Sequence, residues 1–242
     1  MRNTKKARAL IGFGSTGTDT ERMDEYSDLD FLAVAKKGHK QALSENLNWL
    51  SSAAPIRYCF VDKHGAYRVF FHDGIYCEFG VCEENEVDEI PHSEGRIIWC
   101  EEDFDKNVRL PSRECEYDIN EPDSNVAEIL TNLYVGLCRY ARGEKLAANR
   151  YIQRYALDYL LECSCFMSKE TPFYKDIFSM DRRYEMRFPE LVPFLSSMIQ
   201  GYEKCPEAAL AILQCTETHF QVDPFVRAQI IDLAAKCVRS KN

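Results

Sequence analysis

The chain has 242 residues, 45% of them hydrophobic, 29% charged and 12% aromatic, with a net charge of −9. That composition excludes disordered, collagen-like and low-complexity classes, and no stretch reaches the roughly 18 uninterrupted apolar residues of a membrane span. The length allows one large domain or two of about 100–150 residues each.

The basic start, Met1 to Arg8, is not followed by the apolar core and small-residue cleavage site of a signal peptide, which points to the cytoplasm. Short apolar runs then alternate with turns. Ala9–Phe13 leads into Gly14-Ser15, and Leu29–Ala35 contains Asp30. Leu43, Leu47 and Leu50 repeat at helical spacing and predict a helix over Lys40–Ser52. Arg57–Val61, Tyr67–Phe71 and Ile75–Val81 read as three more strands, with Arg96–Trp99 a short sixth. After a polar, turn-rich link at 115–124 nearly everything reads as helix. Asn125 with Glu128 has capping-box spacing, Leu130, Leu133, Tyr134, Leu137 and Cys138 form one stripe, and Leu146–Met167 predicts a second long helix. In that second helix Ile152, Tyr155, Ala156, Tyr159 and Leu160 are expected inside. Thr171-Pro172 and Asp223-Pro224 read as later helix starts. The fold class expected is α+β: a mixed-sheet domain over 1–120 followed by a bundle of four or five helices over 121–242.

Charge follows the same division. Residues 1–122 carry 15 Lys/Arg against 24 Asp/Glu, and residues 123–242 carry 15 of each. An acidic surface repels a nucleic-acid backbone, so duplex nucleic acid is not an expected partner. It suits divalent cations or a cationic small molecule, or it simply solvates the chain. The densest acid, Glu83 to Asp105, holds ten Asp/Glu and one Arg; following directly on the strand with Glu78, it is expected near a cleft rim, where it would attract a polycation. Eleven cysteines, spaced as in Cys77 to Cys82 and Cys163 to Cys165, match no zinc pattern and read as small buried hydrophobes in a reducing compartment.

One segment carries chemistry: Gly12-Phe-Gly-Ser-Thr-Gly-Thr-Asp-Thr-Glu-Arg-Met-Asp-Glu-Tyr-Ser-Asp-Leu-Asp-Phe31. Gly14 permits close backbone approach to a ligand, and Ser15 with the following amides can donate to phosphate oxygens. Asp28 and Asp30, two residues apart at a strand, are expected on one face. Neighbouring carboxylates of that kind suit Mg²⁺, which takes a few carboxylates plus phosphate oxygens. Glu78, the lone charge in an apolar strand, is costly there unless paired or metal-bound; on a neighbouring strand it would complete a three-carboxylate platform.

Gly-Ser, a fixed gap, Asp-x-Asp, a hydrophobic strand and a later acid-bearing strand together resemble the signature of the polymerase-β-type nucleotidyltransferase superfamily. The trailing helices look most like the bacterial nucleotidyltransferases that act on aminoglycosides or lincosamides. The resemblance implies that Ser15 contacts a triphosphate, that Asp28 and Asp30 hold Mg²⁺ (two ions), and that Glu78 is a further ligand or the base. The implied reaction transfers a nucleoside monophosphate, AMP from ATP or another NTP, to a hydroxyl of a small acceptor lying between sheet and helices. Two alternatives stand beside it: nucleotidylation of protein or RNA ends, as in toxin–antitoxin systems, and a nucleotide- or partner-binding domain without turnover. A homodimer is compatible with all three.

Weaker candidates have plain structural readings. Glu144 is either a base or acceptor contact from the helical half, or an acid at a helix N-terminus. Arg142, Lys145, Arg150 and Arg154 either reach phosphate oxygens or are solvated. The five histidines have no metal-ligand spacing and are expected in exposed loops.

Overall fold

The computed structural model describes residues 1–90, 92–110 and 121–239. The chain forms two compact units, Met1–Glu114 and Cys115–Asn242; the turn-rich link expected at 115–124 lies mostly outside the described residues. The architecture is α+β. The first unit is built on β1 (Ala7–Gly12), β2 (Leu29–Ala35), β3 (Ile56–Val61), β4 (Tyr67–Phe71), β5 (Tyr76–Glu83) and β6 (Arg96–Cys100), ordered β3-β4-β5-β2-β1-β6. Only the central β2·β5 pair is parallel; the other four pairs are antiparallel.

Alternation along the central strands creates two unlike faces. One buries Ala33, Ala35, Cys77, Phe79 and Val81 under α1 (Lys40–Ser44) and α2 (Asn48–Ser51). There the Phe79 ring stacks between Tyr67 at 4.8 Å and Phe31 at 5.0 Å, with Trp49 edge-on. The expected single helix over Lys40–Ser52 is broken between α1 and α2. The Asn46 side chain accepts the Asn48 amide at 2.9 Å, a local bond that competes with the helical ladder. The other face carries Leu32, Val34 and Cys82 beneath Val87 and Phe104, together with Asp30 and Glu78. Toward β3 and β4 that face is open, and Tyr58, Phe60 and Phe70 are exposed on it.

The second unit buries Ile129, Leu133 and Leu137 of α3 (Asp123–Ala141) against Ala208 and Ile212 of the helix Cys205–His219 and Ile230 and Ala234 of the helix Pro224–Arg239. Asn125 is no cap: α3 starts two residues earlier, and the buried Asn125 amide donates to Glu162 at 2.7 Å. Glu128 therefore lies inside the helix. The second predicted helix is interrupted: α4 (Lys145–Arg150) continues through a π-helical turn, Tyr151–Ala156, into α5 (Leu157–Glu162), and the helix breaks at Cys163. Tyr134 and Tyr155, expected inside, are exposed. Thr171-Pro172 starts no helix, and the Thr171 amide instead donates to Arg187 O at 2.8 Å. Asp223 does cap the helix Pro224–Arg239, accepting the Phe225 and Val226 amides. No helix among the described residues is long and apolar enough to cross a membrane.

Candidate active site

The site begins where β1 ends. Beyond Gly12 the chain tightens into a 3₁₀ turn, Gly14–Thr16, entered by Gly14 at φ +54°. The Phe13 amide donates to Asp30 O at 2.8 Å. The Thr16 hydroxyl lies 2.9 Å from Phe13 O and 3.0 Å from Asp30 O, sharing its proton between them, and accepts the Asp30 amide at 3.1 Å. The turn is thereby stapled to the second residue of β2. The space is too small for side chains: a Cβ on Gly12 would stand 2.5 Å from Thr16 O, and one on Gly17 2.7 Å from Phe13 Cα. Arg96 of β6 clasps the turn from outside, donating to Thr16 O from Nε and Nη2 at 3.2 and 2.9 Å. Ser15 is buried within it. Sequence reasoning missed Thr16, although a hydroxyl residue between two glycines is a known partner for nearby backbone.

Asp30 and Glu78 are directly paired in the parallel β2·β5 register. Neighbours in register share a face, so the two half-buried carboxylates sit side by side on adjacent strands. Asp28 differs from expectation. It precedes β2, so strand alternation does not place it; it lines a hollow of about 470 Å³ with Tyr26, Asp73, Ile75 and Tyr76. Both aspartates nevertheless act on one thiol. Fully buried Cys77, paired with Leu29, has its pKa pushed up to about 12, chiefly by burial and then by the charges of Asp30 and Asp28.

Glu78 has a partner the sequence reading did not foresee. Arg68, its register neighbour on β4, donates from Nη1 to Glu78 Oε2 at 2.6 Å. The Tyr76 hydroxyl lies 3.4 Å from the same oxygen. Arg68 also reaches Tyr76 Oη at 3.1 Å and Asp62 at 3.0 Å, and these hydrogen bonds drive the guanidinium pKa further up. Among the described residues no three His, Cys, Asp or Glu side chains stand close enough to hold a metal ion. The cation that balances Glu78 in this structure is the Arg68 guanidinium. Asp28 and Asp30 offer the hard carboxylate oxygens that Mg²⁺ takes.

No protein-family model and no curated protein sequence matches the chain. Among solved structures the chain is similar to two nucleotidyltransferase-type proteins. An aminoglycoside 6-adenyltransferase from Bacillus subtilis aligns over 98% of this chain and 94% of its own, with 13% identity and a TM-score of 0.34. A nucleotidyltransferase-like protein from Exiguobacterium sibiricum 255-15 aligns over 99% and 74%, with 12% identity and a TM-score of 0.35.

The acid-rich segment is divided between the two ends of the sheet, with Arg96 paired to Gly12 at the turn and Glu83 at the opposite end. Because β5 runs parallel to β2, its last residue, Glu83, pairs with Ala35, five residues or about 16 Å beyond the Asp30–Glu78 pair. At that far end Arg8 binds Glu84, Glu101 and Asp103 at 2.9, 2.8 and 2.7 Å, Lys36 binds Glu101 at 2.6 Å, and Lys40 binds Glu86 at 2.8 Å. These four acids, Glu84, Glu86, Glu101 and Asp103, balance the unit's own bases at that end. In the second unit Glu144 stands at the N-cap of α4, ion-paired with Arg139 at 2.8 Å. Lys145 pairs with Glu203 at 2.7 Å, and Arg154 stands 3.7 Å from Asp158. His92 is no exposed loop residue. It is buried, its ring 5.2 Å from that of Phe13.

Proposed function

We propose that the chain is a nucleotidyltransferase that passes a nucleoside monophosphate, from ATP or another NTP, to a hydroxyl of a small acceptor. One observation supports this above the rest. The Gly14–Thr16 turn is tied by Thr16 to the very residue, Asp30, whose carboxylate lies beside Glu78 in register. Phosphate-cradling backbone and paired carboxylates are thus one rigid object, as positioning catalysis requires.

In this reading the Gly14–Thr16 backbone and Ser15 receive the triphosphate. Mg²⁺ held by Asp28 and Asp30, two ions in number, would polarise the α-phosphate and offset charge on pyrophosphate. The acceptor oxygen bonds to the α-phosphorus, the bond to the β-phosphate oxygen breaks, and the hydroxyl proton passes to Glu78. The acceptor need not be cationic, since four of the ten acids expected to attract a polycation are balanced by Arg8, Lys36 and Lys40. Aminoglycosides and lincosamides are therefore equal first probes.

A second reading, nucleotide binding without turnover, draws on the Arg68–Glu78 pair, which offsets the cost of Glu78 with no metal needed. Pyrophosphate release from Mg-NTP with an acceptor panel separates the two: turnover abolished by Asp30→Asn supports transfer, and nucleotide binding with no release supports the second reading.

A further inference from the structure

The open face of the sheet carries a cross-strand row, Phe60, Arg68, Glu78 and Asp30, one residue from each of β3, β4, β5 and β2. Resting on the transfer reaction proposed above, we infer that Arg68, anchored by Asp62, is the positioning residue that fixes the Glu78 carboxylate beside Asp30. Both contacts to the carboxylate, from Arg68 and from the Tyr76 hydroxyl, fall on Oε2. Among the described residues Oε1 has no hydrogen bond, which leaves that oxygen available for proton transfer. A glutamate has three rotatable bonds and, untethered on an open face, disperses over many rotamers. The guanidinium removes that freedom because it is itself fixed.

Its second arm, Nη2, donates to Asp62 Oδ2 at 3.0 Å, while Asp62 Oδ1 accepts the His64 and Ala66 amides at 2.8 and 3.1 Å in the β3–β4 turn. The order imposed on Glu78 therefore starts from the backbone of a tight turn. Arginine suits this task and lysine does not. A planar fork serves two carboxylates and a phenol at once, whereas an ammonium on a flexible stem holds one partner at a time.

The test compares pyrophosphate release by Arg68→Ala, Arg68→Lys, Asp62→Asn, Glu78→Gln and the double variant Arg68→Ala/Glu78→Gln. Arg68→Ala is expected to lower kcat about 10- to 100-fold, the scale of a side chain displaced by about 1 Å, with the nucleotide KM within about twofold. Arg68→Lys falls between, and Asp62→Asn, which leaves Arg68 in place and keeps an acceptor for the turn amides, loses less in the same direction. The double variant should be no slower than Glu78→Gln alone, and a crystal structure of Arg68→Ala should show the Glu78 carboxylate displaced. Additive losses in the double variant, a raised KM with kcat intact, or an unmoved Glu78 in that crystal structure would each overturn the inference. Wild-type turnover in both Glu78→Gln and Asp30→Asn would instead overturn the reaction itself, and the Glu78 position in the Arg68→Ala crystal would still decide the role of Arg68.

Discussion

Thr16→Val removes one hydroxyl from the join between turn and strand and changes the side-chain shape very little. The Asp30 amide loses the acceptor it has at 3.1 Å. Phe13 O keeps the Gly17 amide and Asp30 O keeps the Phe13 amide, so neither carbonyl is abandoned. The cost is then mainly that of one partly buried N–H, about 1–3 kcal/mol, and we expect a loss of about 2 kcal/mol. The chain makes the measurement clean, because its two tryptophans, Trp49 and Trp99, both belong to Met1–Glu114. Tryptophan fluorescence in urea therefore follows the first unit alone, which avoids fitting two units to one transition. With a slope of about 1–2 kcal/mol per molar for a unit of this size, the midpoint should fall by at least about 1 M. Thr16→Ser, which keeps the hydroxyl, should lose under half as much. A Thr16→Val midpoint within about 0.3 M of the wild type would refute the claim that this hydroxyl holds turn and strand together.

Two further outcomes concern protonation in the first unit. Cys77 and Cys82 have their pKa values pushed up to about 12 by burial, so both should stay unreactive toward a thiol reagent at pH 8 until the unit unfolds. Folded thiols keep protons that unfolded ones release above about pH 9, so stability should fall between about pH 9 and 12, and a flat urea midpoint across that range would contradict this. Glu101 is held below the usual carboxylate range by Lys36 and then Arg8, and Asp103 by Arg8. Their contribution is complete above the unfolded carboxylate pKa and is lost as pH falls through the lower folded value. Arg8→Ala should thus move acid unfolding, read by the same fluorescence, to higher pH; an unchanged midpoint would show that the cluster contributes nothing.

Much of this was legible in the residues. β2 and β4 stand where apolar runs bounded by turns put them, at Leu29–Ala35 and Tyr67–Phe71. Helix breaks were not legible: Asn46 and Cys163 interrupt runs whose apolar spacing continues across them, to Leu47 and Leu50 and to Phe166 and Met167. Strand order was the larger gap. Nothing local says that β5 lies parallel to β2, yet that single fact puts Glu78 beside Asp30 and carries Glu83 to the other end of the strand pair. Of the candidate residues named from sequence, Asp30 and Glu78 are charges inside apolar strands, Gly14 and Ser15 follow directly on one, and Asp28 directly precedes one. Thr16 and Arg68 were missed because a turn threonine and a strand arginine look ordinary until their partners, 14 and 10 residues away in the chain, are known.

The most direct measurement is pyrophosphate release from Mg-NTP by the wild type and by Asp30→Asn, across ATP, GTP, CTP and UTP and a panel of hydroxyl-bearing acceptors that includes charged aminoglycosides and a lincosamide. The expected result is acceptor-dependent release with at least one nucleotide, stopped by chelation of the metal and lowered at least about 100-fold by Asp30→Asn, the scale on which losing one transition-state charge contact is felt. An Asp30→Asn variant that folds, by tryptophan fluorescence, and still releases pyrophosphate at the wild-type rate would contradict the account.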